Sequence, residues 1–196
     1  MFKRLASAAA ILVLSAAPAF AHLDPAEHGS FMAGVSHPLF GLDHILAMVA
    51  VGLWAALLGG RAVWLVPAAF VGTMLVGFAL SLAGIGLPFV EPVIGASVVV
   101  IGLLALVALQ VPTLVGMIMV GGFSLFHGYA HGGELGEAGA LSFCLGFALS
   151  TALLHAIGVG VGVGLWRIAG GPAGRWMTRI AGGLTVLGGV WLTVGS

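Results

Sequence analysis

Four of this chain's seven histidines stand in two short groups inside an otherwise almost uncharged sequence. In residues 36–50, SHPLFGLDHILAMVA, His37 and His44 are seven apart, which is about two turns of helix, and Asp43 adjoins His44. In FSLFHGYAHGGELGE, His127 and His131 are four apart and share a helix face, with Glu134 three residues further on. Imidazole beside carboxylate suits a divalent transition metal (nickel, cobalt, zinc or iron(II)) or a relayed proton. No cysteine pair is present to build a soft thiolate site for copper(I), since Cys144 stands alone and reads as a small buried hydrophobe.

These polar groups must be positioned by apolar elements. Of 196 residues, 61% are apolar and 6% charged, against roughly a quarter charged in a soluble domain. The expected class is an all-α, polytopic inner-membrane protein, and the apolar content covers six or seven spans. Six basic and six acidic residues cancel, so nothing points to nucleic acid; the partners expected are the lipid bilayer and a metal ion. Residues 1–21 read as a cleavable signal peptide: Lys3 and Arg4, an apolar run, then Ala19-Phe20-Ala21. Residues 22–196 then form one transmembrane domain. Cleavage would expose His22 as a new N-terminus, with Asp24, Glu27 and His28 nearby, either as a further chelating group or as a polar lead-in.

Six spans follow, near 35–58, 63–83, 89–109, 114–129, 140–166 and 177–194, with HGGELGEAG and RIAGGPAGRW as loops. Alternation places Arg61, Arg167, Arg175 and Arg179 on one side and Asp24, Glu27, Glu91, Glu134 and Glu137 on the other. Positive charge marks the cytoplasmic side, so both mature termini are expected in the periplasm. Gly72, Gly77, Gly182, Gly183, Gly188 and Gly189 leave room for close helix packing. The alternate glycines at 158–164 admit either packing or a broken span just past His155. Trp54, Trp64, Trp166, Trp176 and Trp191 fall towards span ends as interface anchors, and Met48, Met74, Met117 and Met119 read as packing residues.

In this threading the two histidine groups share one depth, at the outer ends of spans one and four. His155 lies deeper, about 22 Å along span five, as either a relay ligand or a histidine bonded to a neighbouring span. Glu91 is an entrance carboxylate or an interface residue. A hydrated cation would shed water onto His44, Asp43, His127 and His131, with His37 and Glu134 assisting at the entrance. There is no Walker A loop, so any driving force is an ion gradient, the membrane potential or another subunit.

At these residues the chain resembles the HupE/UreJ family of small bacterial membrane proteins, associated with nickel supply to hydrogenase and urease. One family motif is histidine, five residues, aspartate-histidine, matched by His37 and Asp43-His44. The other, Phe-His-Gly-x-Ala-His-Gly-x-Glu, is matched by Phe126-His127-Gly128, Ala130-His131-Gly132 and Glu134. The resemblance implies a non-enzymatic protein for secondary, ATP-independent uptake of nickel, or of cobalt, across the inner membrane. It implies His37, Asp43, His44, His127, His131 and Glu134 as the metal residues, no tightly bound cofactor, and nickel-enzyme maturation proteins as partners. The rival readings are a haem-binding electron-transfer subunit, an intramembrane metalloenzyme and a non-transporting nickel metallochaperone.

Overall fold

The computed structural model describes residues 31–132 and 139–194. The expected signal peptide, the group at 22–28, Glu134 and Glu137 lie outside the described residues. The described residues form seven helices: α1 (Phe31–Phe40), α2 (Leu42–Leu58), α3 (Ala62–Leu82), α4 (Val90–Leu106), α5 (Thr113–Gly132), α6 (Ala140–Ala169) and α7 (Gly171–Val194). The protein is an all-α, multi-pass membrane protein. Helices α3, α5, α6 and α7 are each long and apolar enough to cross a bilayer, and α4 is a shorter apolar helix of 17 residues.

The run read as one straight span at 35–58 is broken. Helices α1 and α2 meet at 79°. Pro38 sits inside α1, and Gly41 between the helices is extended, at φ −76° and ψ 112°. The backbone bond from Gly41 N–H to the His37 carbonyl closes the first helix, and that from Ile45 N–H to the Gly41 carbonyl opens the second. One residue therefore ends one helix and starts the next. Asp43 falls in the first turn of α2, where exposed N–H groups favour a carboxylate.

Of the two readings open for the glycines at 158–164 the broken span is excluded, because α6 runs through them unbroken for 30 residues. Gly158 lies against the Val49 carbonyl and Gly52 of α2, and Gly162 against Ala56, so these two let α2 and α6 approach. Gly160 and Gly164 face open space. The segment after Gly170, read as a loop, instead opens α7 at Gly171, six residues before the expected start.

Trp54 is also corrected: it is fully buried rather than an interface anchor, and its Nε1 donates to the Leu109 carbonyl at 2.9 Å. Trp64, Trp166 and Trp176 do lie exposed, each facing an arginine (Arg61, Arg175 and Arg179). These pairs gather at the α2–α3 and α6–α7 turns, the end of the bundle opposite the histidine groups.

The closest helix pair is α3 with α5, and its seam is made of glycines. A Cβ on Gly128 would collide with the Met74 carbonyl oxygen, one on Gly77 with the Leu125 carbonyl oxygen, and one on Gly132 would stand 2.6 Å from the Phe78 carbonyl oxygen. Without side chains there, the backbones touch, and His127 and His131 emerge on a different side of α5 from that seam. Gly128→Ala is expected to destabilise the protein by about 1–3 kcal/mol, as overpacking does. Gly160→Ala, into open space, is expected to leave stability unchanged or slightly raised, both read by thermal unfolding in detergent.

Candidate metal centre

The break at Gly41 turns α1 so that His37 looks back at the first turn of α2. The His37 ring packs edge-on to His44 at 5.1 Å and to His131 at 4.3 Å between centroids. His37, His44 and His131 each offer a ring nitrogen, and the three nitrogens lie within 4.8 Å of one another. His37 is half-buried, whereas His44 and His131 are 4% and 7% exposed. Three imidazoles at this spacing, from three helices, are close enough together to share one divalent ion.

Hydrogen bonds set the ring orientations. Asp43 Oδ1 lies 2.9 Å from His44 Nδ1. With the Nδ1 proton given to the carboxylate, His44 keeps a lone pair on Nε2, which faces His131 Nε2 at 2.9 Å. His131 Nε2–H is then the donor in that contact. A carboxylate holding the far nitrogen of an imidazole fixes its tautomer and makes it a stronger ligand. Asp43 thus stands on the Nδ1 side of the His44 ring, away from the Nε2 that faces His131.

Gly41 is part of this geometry. A Cβ there would stand 2.8 Å from His44 Nδ1 and 3.1 Å from Asp43 Oδ1, inside the bonded pair. One wall is aromatic: Phe147 of α6 touches the rings of His37, His44 and His131 at 6.0, 5.9 and 5.0 Å, and stacks on Phe143. Phe31 and Gly34 of α1 meet Gly146 and Phe143 of α6 backbone to backbone, clamping α1 against that wall.

His127 sits one turn deeper than His131, fully buried. Its ring is 5.6 Å from that of His44, but its Nε2 bonds Ser97 Oγ of α4 at 2.8 Å, while Ser97 donates to the Ile94 carbonyl at 2.6 Å. Since the Ser97 proton is committed to that carbonyl, His127 Nε2–H donates to the hydroxyl. Glu91 and Asp43 both line a cavity of about 440 Å³, bordered by Gly95, Gly189 and Thr193. Two carboxylates therefore line one opening.

The structure thus brings His37, Asp43, His44 and His131 together and sets His127 at their edge; Glu134 lies outside the described residues. Sequence reasoning missed Phe147, Ser97 and the constraint at Gly41. Phe147 stands in an apolar run with nothing to mark it. Ser97, a hydroxyl in the first half of an apolar helix, was the one signal the sequence offered.

The sequence model of the HupE / UreJ protein family matches residues 10–192. Protein HupE of Rhizobium leguminosarum bv. viciae is 45% identical over 186 residues, covering 94% of this chain and 95% of the relative. No solved structure matches the chain.

Asp43→Ala is expected to weaken nickel binding by about 10- to 100-fold, the usual cost of losing the group behind a metal-bound imidazole. Stoichiometry at saturation should stay the same, since no ligand to the ion is removed. Equilibrium dialysis with radiolabelled nickel on the purified chain checks both.

Proposed function

We propose, from the premise that this chain belongs to the HupE/UreJ family, that it carries a divalent transition metal, nickel first, across the bacterial inner membrane. The observation that supports this most is the group of three imidazoles from three helices, His37, His44 and His131, with Asp43 behind His44. The ion is the cargo, so the site must both bind and release it. In this reading it enters past Glu91 and Asp43, loses water to the three imidazoles, and meets His127 one turn deeper. Glu134, three residues beyond His131, adds a carboxylate to the entrance.

The same reading takes the bent pair α1–α2 as one crossing and α3, α4, α5, α6 and α7 as five more, six in all. The four arginines at the end away from the site then face the cytoplasm, and both mature termini are periplasmic. In the same reading the metal is delivered to hydrogenase or urease maturation. The Nε2 atoms of His44 and His131 are 2.9 Å apart, which leaves no room for a porphyrin between them and favours a bare ion over haem.

Radiolabelled nickel uptake into proteoliposomes tests the proposal. Saturable uptake by the wild-type protein, abolished in His44→Ala and in His131→Ala at matched insertion, is expected. Stoichiometric nickel binding with no flux would replace transport by metal custody.

A further inference from the structure

His155 has no part in the site described above, yet it is the most unusual group in the bundle. It stands halfway along α6 and is 1% exposed. Among the described residues neither of its ring nitrogens has a hydrogen-bond partner. A buried imidazole with both nitrogens unsatisfied is costly, and costlier within a membrane, so its retention calls for an interaction that repays it.

Its surroundings indicate which. The Phe70 ring of α3 packs edge-on to His155 at 4.9 Å and also touches His127 at 5.9 Å. One aromatic ring therefore contacts both the deepest histidine of the outer group and His155. Thr151, one turn before His155 on the same face of α6, points its hydroxyl at Met74 Sδ, 3.7 Å away and one turn from Phe70 on α3. Beside His155 a groove of about 700 Å³ lies between α3 and α6, open on the outer surface of the bundle through the exposed Trp64, Ala68, Gly72, Ala156 and Gly160. Along α3 its lining extends from mid-helix to the end bearing the arginines. His155 is thus the one titratable side chain lining this otherwise apolar groove.

We propose that His155 is a second, inner coordination stop for the divalent ion, which reaches it from His127 past the ring of Phe70. It rests on the transport reading for its purpose, but its existence as a metal site can be tested alone. The stop is a weak one: a single imidazole, with the Thr151 hydroxyl and retained water completing the shell. Weakness suits it, because an ion that has left three imidazoles must next be released. Phe70 keeps the two stops from forming one continuous polar channel. The class of ion is the one imidazole prefers, a late divalent transition metal rather than magnesium or calcium.

The test uses the full purified chain and Co²⁺, whose visible absorption reports its ligands. In the His44→Ala/His131→Ala variant the outer site is removed. Cobalt titration of that variant is expected to show one residual weak ion per chain. Adding His155→Gln should abolish it, and adding His155→Cys should give a thiolate-to-cobalt band in the near ultraviolet. Residual cobalt absorption unchanged by His155→Gln, or no thiolate band in a folded His155→Cys chain, would overturn the inner site. Should His155→Gln fail to fold, the thiolate band alone decides.

The flux arm places the site on the path. His155→Gln in an otherwise wild-type chain should slow nickel uptake about tenfold or more, the least that loss of even an outer-sphere partner costs a metal site. Nickel affinity at the outer site should not change. Uptake at the wild-type rate would remove His155 from the path. A wild-type protein that binds cobalt at His155 and carries no nickel would refute transport and leave the inner site standing.

Discussion

The constraint on which the rest depends is the cost of holding imidazole and carboxylate away from water in a bundle surrounded by lipid. A buried polar group without a partner is worth a kilocalorie or more of instability, and a buried charge much more. The protein meets this by chaining the groups: Asp43 accepts from His44, His44 accepts from His131, and His127 donates to Ser97. Asp43 also sits in the first turn of α2, where backbone N–H groups and the helix dipole favour negative charge. His37, His44 and His131 each direct a ring nitrogen into one small volume, within 4.8 Å of one another. An ion arriving there replaces a hydrogen bond with coordination, and little else has to move.

Backbone architecture follows from that requirement. Three helices must deliver ring nitrogens to within a few ångströms, although α2 packs mainly on α6 and α5 mainly on α3. The glycines of the FHGYAHGG stretch press α5 onto α3 while its histidines reach the other way, so Gly128 and Gly132 serve the site without touching a ligand. The bend at Gly41 brings His37 into range, and no side chain fits there because the Asp43–His44 pair occupies the space. Phe147 then closes one side with a ring in contact with all three imidazoles.

Much of this was legible in the sequence. The spacing of His37, Asp43 and His44, and of His127 and His131, placed both groups at one depth before any coordinates, because helical pitch and span alternation are nearly invariant. The bounds of α3 and the start of α6 at Ala140 were equally readable from hydropathy. Less legible was anything set by tertiary contact. Hydropathy does not see a one-residue break, so 35–58 looked continuous although Pro38 and Gly41 were both in view. Alternate glycines at 158–164 look the same whether they bend a helix or pack it, and only the neighbouring Val49, Gly52 and Ala56 show that Gly158 and Gly162 pack. Trp54 near a span end resembled an interface anchor until the Leu109 carbonyl was found opposite it. Which histidines would coordinate and which would bond a hydroxyl depended on Ser97, on a helix far away in sequence.

The central claim is that one ion is held by three imidazoles, from His37, His44 and His131. X-ray absorption at the nickel edge on the metal-loaded full chain tests it most directly, because multiple scattering from imidazole rings counts the histidine ligands. The account predicts about three imidazoles with first-shell nitrogen or oxygen near about 2.0–2.1 Å, the range usual for imidazole on a divalent metal of this size. In His37→Ala the count should fall by one while an ion remains bound. A spectrum with no imidazole scattering, or with sulfur in the first shell, would contradict the account.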